Sequence, residues 1–375
     1  MKNMNINIHK SDLNKALNIV EKALSNKNVI ETLKGIKIEV TNENIIFTTS
    51  KSEIAIEYSL KLQDIDIKVQ TPGIIVIPGF YFINIIRKLN SNYIKIEKIN
   101  NLINIQANKS HVELIELDSS SYPNINFELN DAKILELNKN TLIETFNKTK
   151  YAISNNPLNQ ILTGINYNFT KDYLKVFTTD SLRMIYYKVE QPTNEDISFT
   201  INKHILQDIN KIFEYIEEDN INLHLTDNQC LIKSDTIKIK SRLLDGSFPN
   251  IEKIIPTTNT FNYIINKQDI LEALQRVVLL TERNESIVVA KIENTSLSLK
   301  SSHKFLGAIE EYCQISHFQG NAFDIAFDPY FLLDAVQIID EDEIKLEFID
   351  EISGFVIKSP TNDNIINIIS PIRMN

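Results

Sequence analysis

The residues that could do chemistry are few, and their spacing builds no familiar catalytic centre. Thr179-Asp180 sets a hydroxyl beside a carboxylate, and Ser241 supplies another hydroxyl. Such groups could be assembled into a nucleophile and its base. The six histidines, at 9, 111, 204, 224, 303 and 317, show no ligand spacing. No Gly-rich phosphate loop or nucleophile elbow is present. Cys230 and Cys313 belong to no Cys-x-x-Cys or Cys/His cluster, so zinc is not expected. Two isolated cysteines fit the reduced thiols of a cytosolic protein. No cofactor or metal is expected, and an enzyme is the rival reading.

The elements around these residues carry more information. The chain has 375 residues, enough for two or three domains. With 43% hydrophobic and 23% charged residues it can bury large cores. Its start has no apolar signal core. The apolar run 73–86 is broken by Pro78 and Asn84 and falls short of the ~20 residues of a membrane span. No membrane association is expected.

Internal similarity organises the chain. Three segments pass from an alternating strand into a polar helix start: Ile8 to Leu13, Leu137 to Leu142 and Ile265 to Ile270. His9 and Asn138 are 129 positions apart, and Asn138 and Asn266 are 128 apart. Polar side chains at such starts cap unpaired amides. A second triplet, around Pro78, Asn202 and Asp328, repeats at 124 and 126. Phe47-Thr48-Thr49-Ser50, Phe177-Thr178-Thr179-Asp180 and Leu299-Lys300-Ser301-Ser302 match at 130 and 122. Tyr122-Pro123-Asn124-Ile125 and Phe248-Pro249-Asn250-Ile251 are 126 apart. A period near 125 residues marks repeated domains. The expected fold class is α+β, with domains 1–130, 131–258 and 259–375. Each domain holds two halves of the form β-α-β-β-β, giving six similar pieces.

Net charge is −10, a sign that alone argues against nucleic acid. The charge is unevenly placed, however. The helical stretches 10–24, 80–90 and 139–153 carry +1, +2 and +2. Stretches 203–216 and 267–283 are neutral, and 329–341 carries −3. Two readings stay open: helices collecting lysine on their wet faces, or a helix-lined basic surface facing phosphates.

Three pieces in order then point to a family: Phe177 to Met184, Ser241 to Asn250, and the tail Ile368-Ile369-Ser370-Pro371-Ile372-Arg373-Met374. Within a three-repeat chain they resemble the beta subunits of bacterial DNA polymerase III, the sliding clamps. The resemblance runs from about residue 5 to the C-terminus. It implies a non-catalytic processivity subunit in the cytoplasm, a head-to-tail homodimeric ring with helices lining the hole and sheets outside. Double-stranded DNA would be held without sequence preference. Other partners implied are the clamp loader, the replicative polymerase catalytic subunit, and repair polymerases and mismatch-repair proteins through short apolar peptides.

By family position, Lys15, Lys27, Arg87, Lys88, Asn156 and Lys203 would face DNA. Val112 and Leu114 on an edge strand would meet Leu279 and Leu280 of a second copy. The peptide groove would be walled by Leu162, Thr179, Ser181, Leu182, Arg183, Met184, Pro249, Lys253, Ile254, Gly354, Ile368, Ile369, Ser370, Pro371, Ile372, Arg373 and Met374. Pro371 lacks a donor and should peel the chain end from its sheet, freeing Ile372 and Met374. Ordinary core packing is the plain alternative for the apolar members. The chain departs from the family at Ser181-Leu182, where Gly-His is usual, at Phe80, where a basic residue is common, and at Asn375, which follows the usual apolar end. A clamp-like scaffold that does not encircle DNA therefore stays open beside the ring.

Overall fold

The structure, a computed structural model, describes residues 4–64, 67–194, 196–281, 286–293 and 295–374. Glu282, Arg283 and Asn375, used in the sequence reading, lie outside the described residues. Sheets dominate, with six α-helices among the described residues: α1 (Lys10–Val20), α2 (Gly79–Lys88), α3 (Lys139–Thr149), α4 (Lys203–Phe213), α5 (Lys267–Val277) and α6 (Pro329–Gln337). Each buries an apolar stripe; in α1 it is Leu13, Ala16, Leu17, Ile19 and Val20. Caps follow the polar starts. Asn266 Oδ1 accepts from the Asp269 amide, and Asp328 Oδ1 from the Tyr330 amide, with Pro329 in the first turn.

Among the described residues the strands form three antiparallel sheets. The first runs Ile67–Thr71, Asn5–His9, Tyr93–Ile99, Leu102–Ala107, Ser110–Ile115. The second runs Lys133–Asn138, Asn220–Leu225, Gln229–Lys233, Ile237–Arg242, Ile54–Lys61, Asn44–Lys51, Gly35–Val40, Gly73–Pro78. The third runs Ile197–Asn202, Gly164–Phe169, Tyr173–Thr179, Arg183–Glu190, Ile365–Ile369, Phe355–Lys358, Glu343–Phe348, Phe261–Asn266, Gly307–Gln319, Ser296–His303, Val288–Ile292, Phe323–Phe327. The chain falls into two compact units: Met1–Leu142 with His204–Leu243, and Ile143–Lys203 with Leu244–Asn375. The first two sheets lie in the first unit and the third sheet in the second.

Repeated hydrogen bonds define the equivalence of the repeats better than letter matches do. The amides of Lys10, Lys139 and Lys267 donate to Asn92, Asp219 and Asp342 at 2.7, 2.8 and 2.8 Å. Their ammonium groups reach the carbonyls of Leu89, Ile216 and Ile339 at the far end of the same repeat. A cation at a helix C-terminal end meets the negative pole of the dipole. Three lysines counted as helix-face charge are thus bound to backbone carbonyls. A second triplet bonds Leu117 to Val76, Leu244 to Thr200 and Ile372 to Ala326, at 2.9, 2.8 and 2.7 Å.

Walking the ladders from these anchors makes Thr49, Thr178 and Ser301 equivalent. Thr49 and Thr178 donate to the carbonyls of Val20 and Thr149 at the ends of α1 and α3. The letter match of Phe47 with Phe177 is therefore one residue out. Side chains alternate along a strand, so the slip changes the face. Phe47 packs towards the helix, whereas Phe177 lies on the opposite face with Tyr186 and Ile251. Leu299 does match Phe47.

Candidate functional site

Two sheet junctions join successive repeats. In the first unit, strand Ile54–Lys61 pairs with Ile237–Arg242, setting Ile56 opposite Ile239 and Glu57 opposite Lys238. In the second unit, Arg183–Glu190 pairs with Ile365–Ile369, setting Ile185 opposite Asn367 and Tyr186 opposite Ile366. The same outer bond closes both: Ser59 donates to Thr236, and Lys188 to Asn364, each at 2.8 Å.

The second junction gathers most of the expected groove. Phe177, Tyr186, Ile251, Val356, Ile366 and Ile368 form one buried apolar cluster, with Met184, Phe248 and Ile255 packed on it. Gly354 gives the chain room here, since a Cβ would sit 3.0 Å from Ile368 Cγ2. Leu182 is 58% exposed and Met374 52% exposed; Ile254 is exposed as well. Pro249, Lys253 and Arg373 are exposed, and Ser370, Pro371 and Ile372 are half-buried. Leu162, Thr179 and Ile369 are buried, with Ile369 in the third-repeat core. The Leu162 carbonyl accepts from the Ser154 amide at 3.0 Å.

The 179–184 turn explains how Leu182 is presented. Asp180 Oδ1 accepts from the amides of Leu182 and Arg183 at 3.0 and 2.9 Å. Thr179 Oγ1 accepts from the Ser181 amide at 3.0 Å and donates to the Arg183 carbonyl at 2.8 Å. Ser181 is held at φ 80, a left-handed conformation that a non-glycine residue adopts at a cost. Thr179 and Asp180 are thus used up in shaping the turn. Ser241 is buried opposite Ile54 and Cys230.

Arg183 is a clamp. Its side chain is 14% exposed; Nε bonds Asp180 at 3.0 Å and Nη1 bonds Asp334 at 2.6 Å. Nη2 donates to the Tyr151 carbonyl at 2.5 Å. The guanidinium also lies 4.3 Å from the Phe331 ring centroid. All its nitrogens are engaged. Burial raises the Tyr151 phenol far above the usual range and also raises Asp328. Burial lowers the Lys203 ammonium, helped by the positive charges of Arg183 and Lys150.

The tail departs from expectation. Pro371 does follow the end of strand Ile365–Ile369, but Ile372 is not free. Its amide donates to Ala326, as the third copy of the repeat's own bond. Met374 alone extends beyond this anchor with an exposed apolar side chain.

Lys27 and Lys88 are exposed, and Lys15 and Lys203 are half-buried. Arg87 pairs with Glu21 and donates to Asn18 at 2.8 Å. Asn156 caps its own loop, accepting from the Leu158 amide at 3.0 Å. Lys148, in the basic 139–153 stretch, bonds Asp340 at 2.5 Å. Val112 and Leu114 sit half-buried on Ser110–Ile115, the edge of the first sheet. Leu279 is 74% exposed after α5, and Leu280 is half-buried. Burial pushes the Cys230 and Cys313 thiols up to about 12 and about 11, so both stay protonated. Among the described residues no His, Cys, Asp and Glu group could hold a metal, and no helix is long and apolar enough to cross a membrane.

Known proteins match this geometry along its whole length. Three family models match in order: the N-terminal domain of the DNA polymerase III beta subunit at 4–126, its central domain at 136–250 and its C-terminal domain at 252–373. The beta sliding clamp of Bacillus subtilis is 28% identical over 378 residues, covering 99% of this chain and 100% of that one. That of Staphylococcus epidermidis is 29% identical over 366 residues, covering 95% and 96%. The solved sliding clamp of Bacillus subtilis superposes with a TM-score of 0.93 at 27% identity, covering 100% of both chains. The DNA polymerase III beta chain of Streptococcus pneumoniae gives 0.92 at 26%, covering 99% of this chain and 100% of that one. The fold is the three-domain clamp fold.

Proposed function

We infer the function from one premise: the chain belongs to the DNA polymerase III beta subunit family, the sliding clamps. We propose that two copies close head to tail into a ring around duplex DNA and tether the replicative polymerase for processive synthesis. Domains 1–130, 131–258 and 259–375 would supply half of the ring. The clamp loader, repair polymerases and mismatch-repair proteins would share one apolar peptide groove at the second junction. The protein would act in the cytoplasm and catalyse nothing itself, since Thr179 and Asp180 are already bound into a turn.

The observation that carries this reading is a count of strand edges. The chain makes the same junction twice and leaves one half of it open at each end. Among the described residues, nothing pairs with the outer edge of Ser110–Ile115. Strand Gly307–Gln319 pairs with Ser296–His303 along 307–314, while Phe261–Asn266 covers only its second part. An open donor edge and an open acceptor edge on one chain are heterologous, and two copies can close them. Exposed edges invite such pairing.

A closed ring tethers by topology, so its DNA contacts can be weak phosphate contacts that carry no sequence information. Lys15, Lys27, Arg87, Lys88, Asn156 and Lys203 are proposed for these. The exposed Arg87–Glu21 pair is weak enough to yield to a phosphate. Exposed Phe80 and Tyr81 on α2 favour the second reading, a scaffold that does not encircle DNA. The deciding experiment loads the protein onto circular duplex with a clamp loader. A sliding ring stays on the circle and leaves when the circle is cut. Equal retention on linear and circular DNA would sink the ring.

A further inference from the structure

The internal junctions fix more than the existence of a third. The ladders give each junction position a counterpart at the open edges. On the acceptor side, Val76, Thr200 and Ala326 share the repeated amide bond. Counting across the strands leads from Val76 through Lys37 and Thr48 to Glu57. From Thr200 it leads through Asn166 and Phe177 to Tyr186. From Ala326 it leads through Val289 and Lys300 to Glu310. On the donor side, Gln106 faces His111, Lys233 faces Lys238 and Lys358 faces Ile366. The occupied junctions join the matching positions, Glu57 with Lys238 and Tyr186 with Ile366.

We propose that the open edges of two copies pair in the same register, with Val112 opposite Ile309 and His111 of one copy opposite Glu310 of the next, so that ring closure depends on the charge of His111. This rests on the ring reading above and adds its register and its sensitivity. Val112 and Ile309 are half-buried here, and their counterparts Ile239, Ile56, Asn367 and Ile185 are all buried at the made junctions. Pairing would bury the third set likewise.

The charged position is where the three junctions differ. The first holds a lysine, with Lys238 Nζ 2.7 Å from Glu57. The third would hold an imidazole, which changes charge between about pH 5 and 8. Glu113, on the same strand face, lies 3.3 Å from His111. Across the sheet stands neutral Gln106, then Lys95, which pairs with Glu97 at 2.9 Å. On the other copy, Glu310 stands opposite Lys300 and accepts from the Tyr312 hydroxyl. Lys300 competes for Glu310 and limits the gain. A protonated His111 would meet two carboxylates; a neutral one gains little.

Dimer dissociation should therefore be measured by sedimentation at pH 6 and pH 8. The intact chain should associate about two- to fivefold more tightly at pH 6, the range of an exposed ion pair. His111→Lys installs the residue of the first junction and should bind tightly at both pH values. Glu310→Gln should remove the dependence. Register is read separately by disulfide trapping of His111→Cys with Glu310→Cys, against the shifted pair Glu113→Cys with Glu310→Cys. Dimers that trap in the shifted register, or that keep the pH dependence in Glu310→Gln, overturn this proposal and leave the ring standing. A chain monomeric at every pH and concentration overturns the ring itself.

Discussion

The two internal junctions are built from equivalent positions, yet their faces away from the helices are chemically opposite. At the first, these positions hold Thr48, Ala55, Glu57, Leu231, Lys238 and Lys240. At the second they hold Phe177, Met184, Tyr186, Val356, Ile366 and Ile368. A linker covers each: Phe127 packs on Ala55 and Leu231, while Phe248, Ile251 and Ile255 pack on the second set. Lys240 also donates to the Asn126 carbonyl at 2.9 Å, tying the first linker down. The first face is closed with small and charged residues that need nothing more. The second offers a continuous apolar surface whose margin, at Leu182, Ile254 and Met374, stays exposed. One backbone pattern thus builds a closed joint in one place and, in the proposed function, the base of a peptide-binding surface in the other.

The strongest way to break this comparison is to put the first junction's charge into the second. Ile366→Lys sets an ammonium among buried aromatic and aliphatic groups and should cost more than about 3 kcal/mol in chemical denaturation. Adding Tyr186→Glu should recover part of the loss. A cost below about 1 kcal/mol would show that the second face is not the apolar core described here. Arg183→Ala comes next. It leaves Asp180 and Asp334 without their shared cation and should cost about 2–3 kcal/mol by the same measurement.

The groove itself is tested by the tail. Deleting residues 371–375 removes the Ile372 anchor and Met374 together. Binding of a Gln-x-x-Leu-Phe type peptide, expected near micromolar or about −8 kcal/mol, should weaken at least tenfold by titration. Met374→Ala leaves the anchor to Ala326 intact and separates lost contact from lost order. If both variants bind as the parent does, the peptide site is elsewhere.

How far the sequence led depended on what kind of signal a residue leaves. The caps at Asn266 and Asp328 are local, so the helix starts and the threefold period were legible. Leu182, Met184 and the tail were singled out only through family resemblance, and whether they bind a peptide is the proposal tested above. Three things were not. The role of Lys10, Lys139 and Lys267 needs the far end of each repeat, about 80 residues away in sequence for Lys10 and Leu89. The freedom assigned to Ile372 missed a bond whose sequence mark is only an aliphatic residue at matching positions 117, 244 and 372. The Phe47–Phe177 match failed because alternation makes a one-residue slip invisible in composition while it exchanges the two faces. That slip aligned Phe177 with a residue of the helix-facing side, whereas Phe177 belongs to the apolar outer face of the second junction.

The smallest expected effect sharpens the comparison most. Lys238 and Glu57 lie 2.7 Å apart with side chains 43% and 20% exposed. Such a pair gains modest Coulomb energy and loses side-chain freedom, so its coupling should be roughly 0.2–1 kcal/mol. A double-mutant cycle of Glu57→Gln and Lys238→Gln isolates that term. It should shrink at 1 M salt, where the screening length falls to about 3 Å. The backbone ladder and the Ile56–Ile239 contact beneath it would carry the rest, and the joint should survive both substitutions. A coupling well above 1 kcal/mol, insensitive to salt, would mean that the charges hold the first junction together. The two junctions would then differ in what binds their strands, and not only in what their outer faces offer to others.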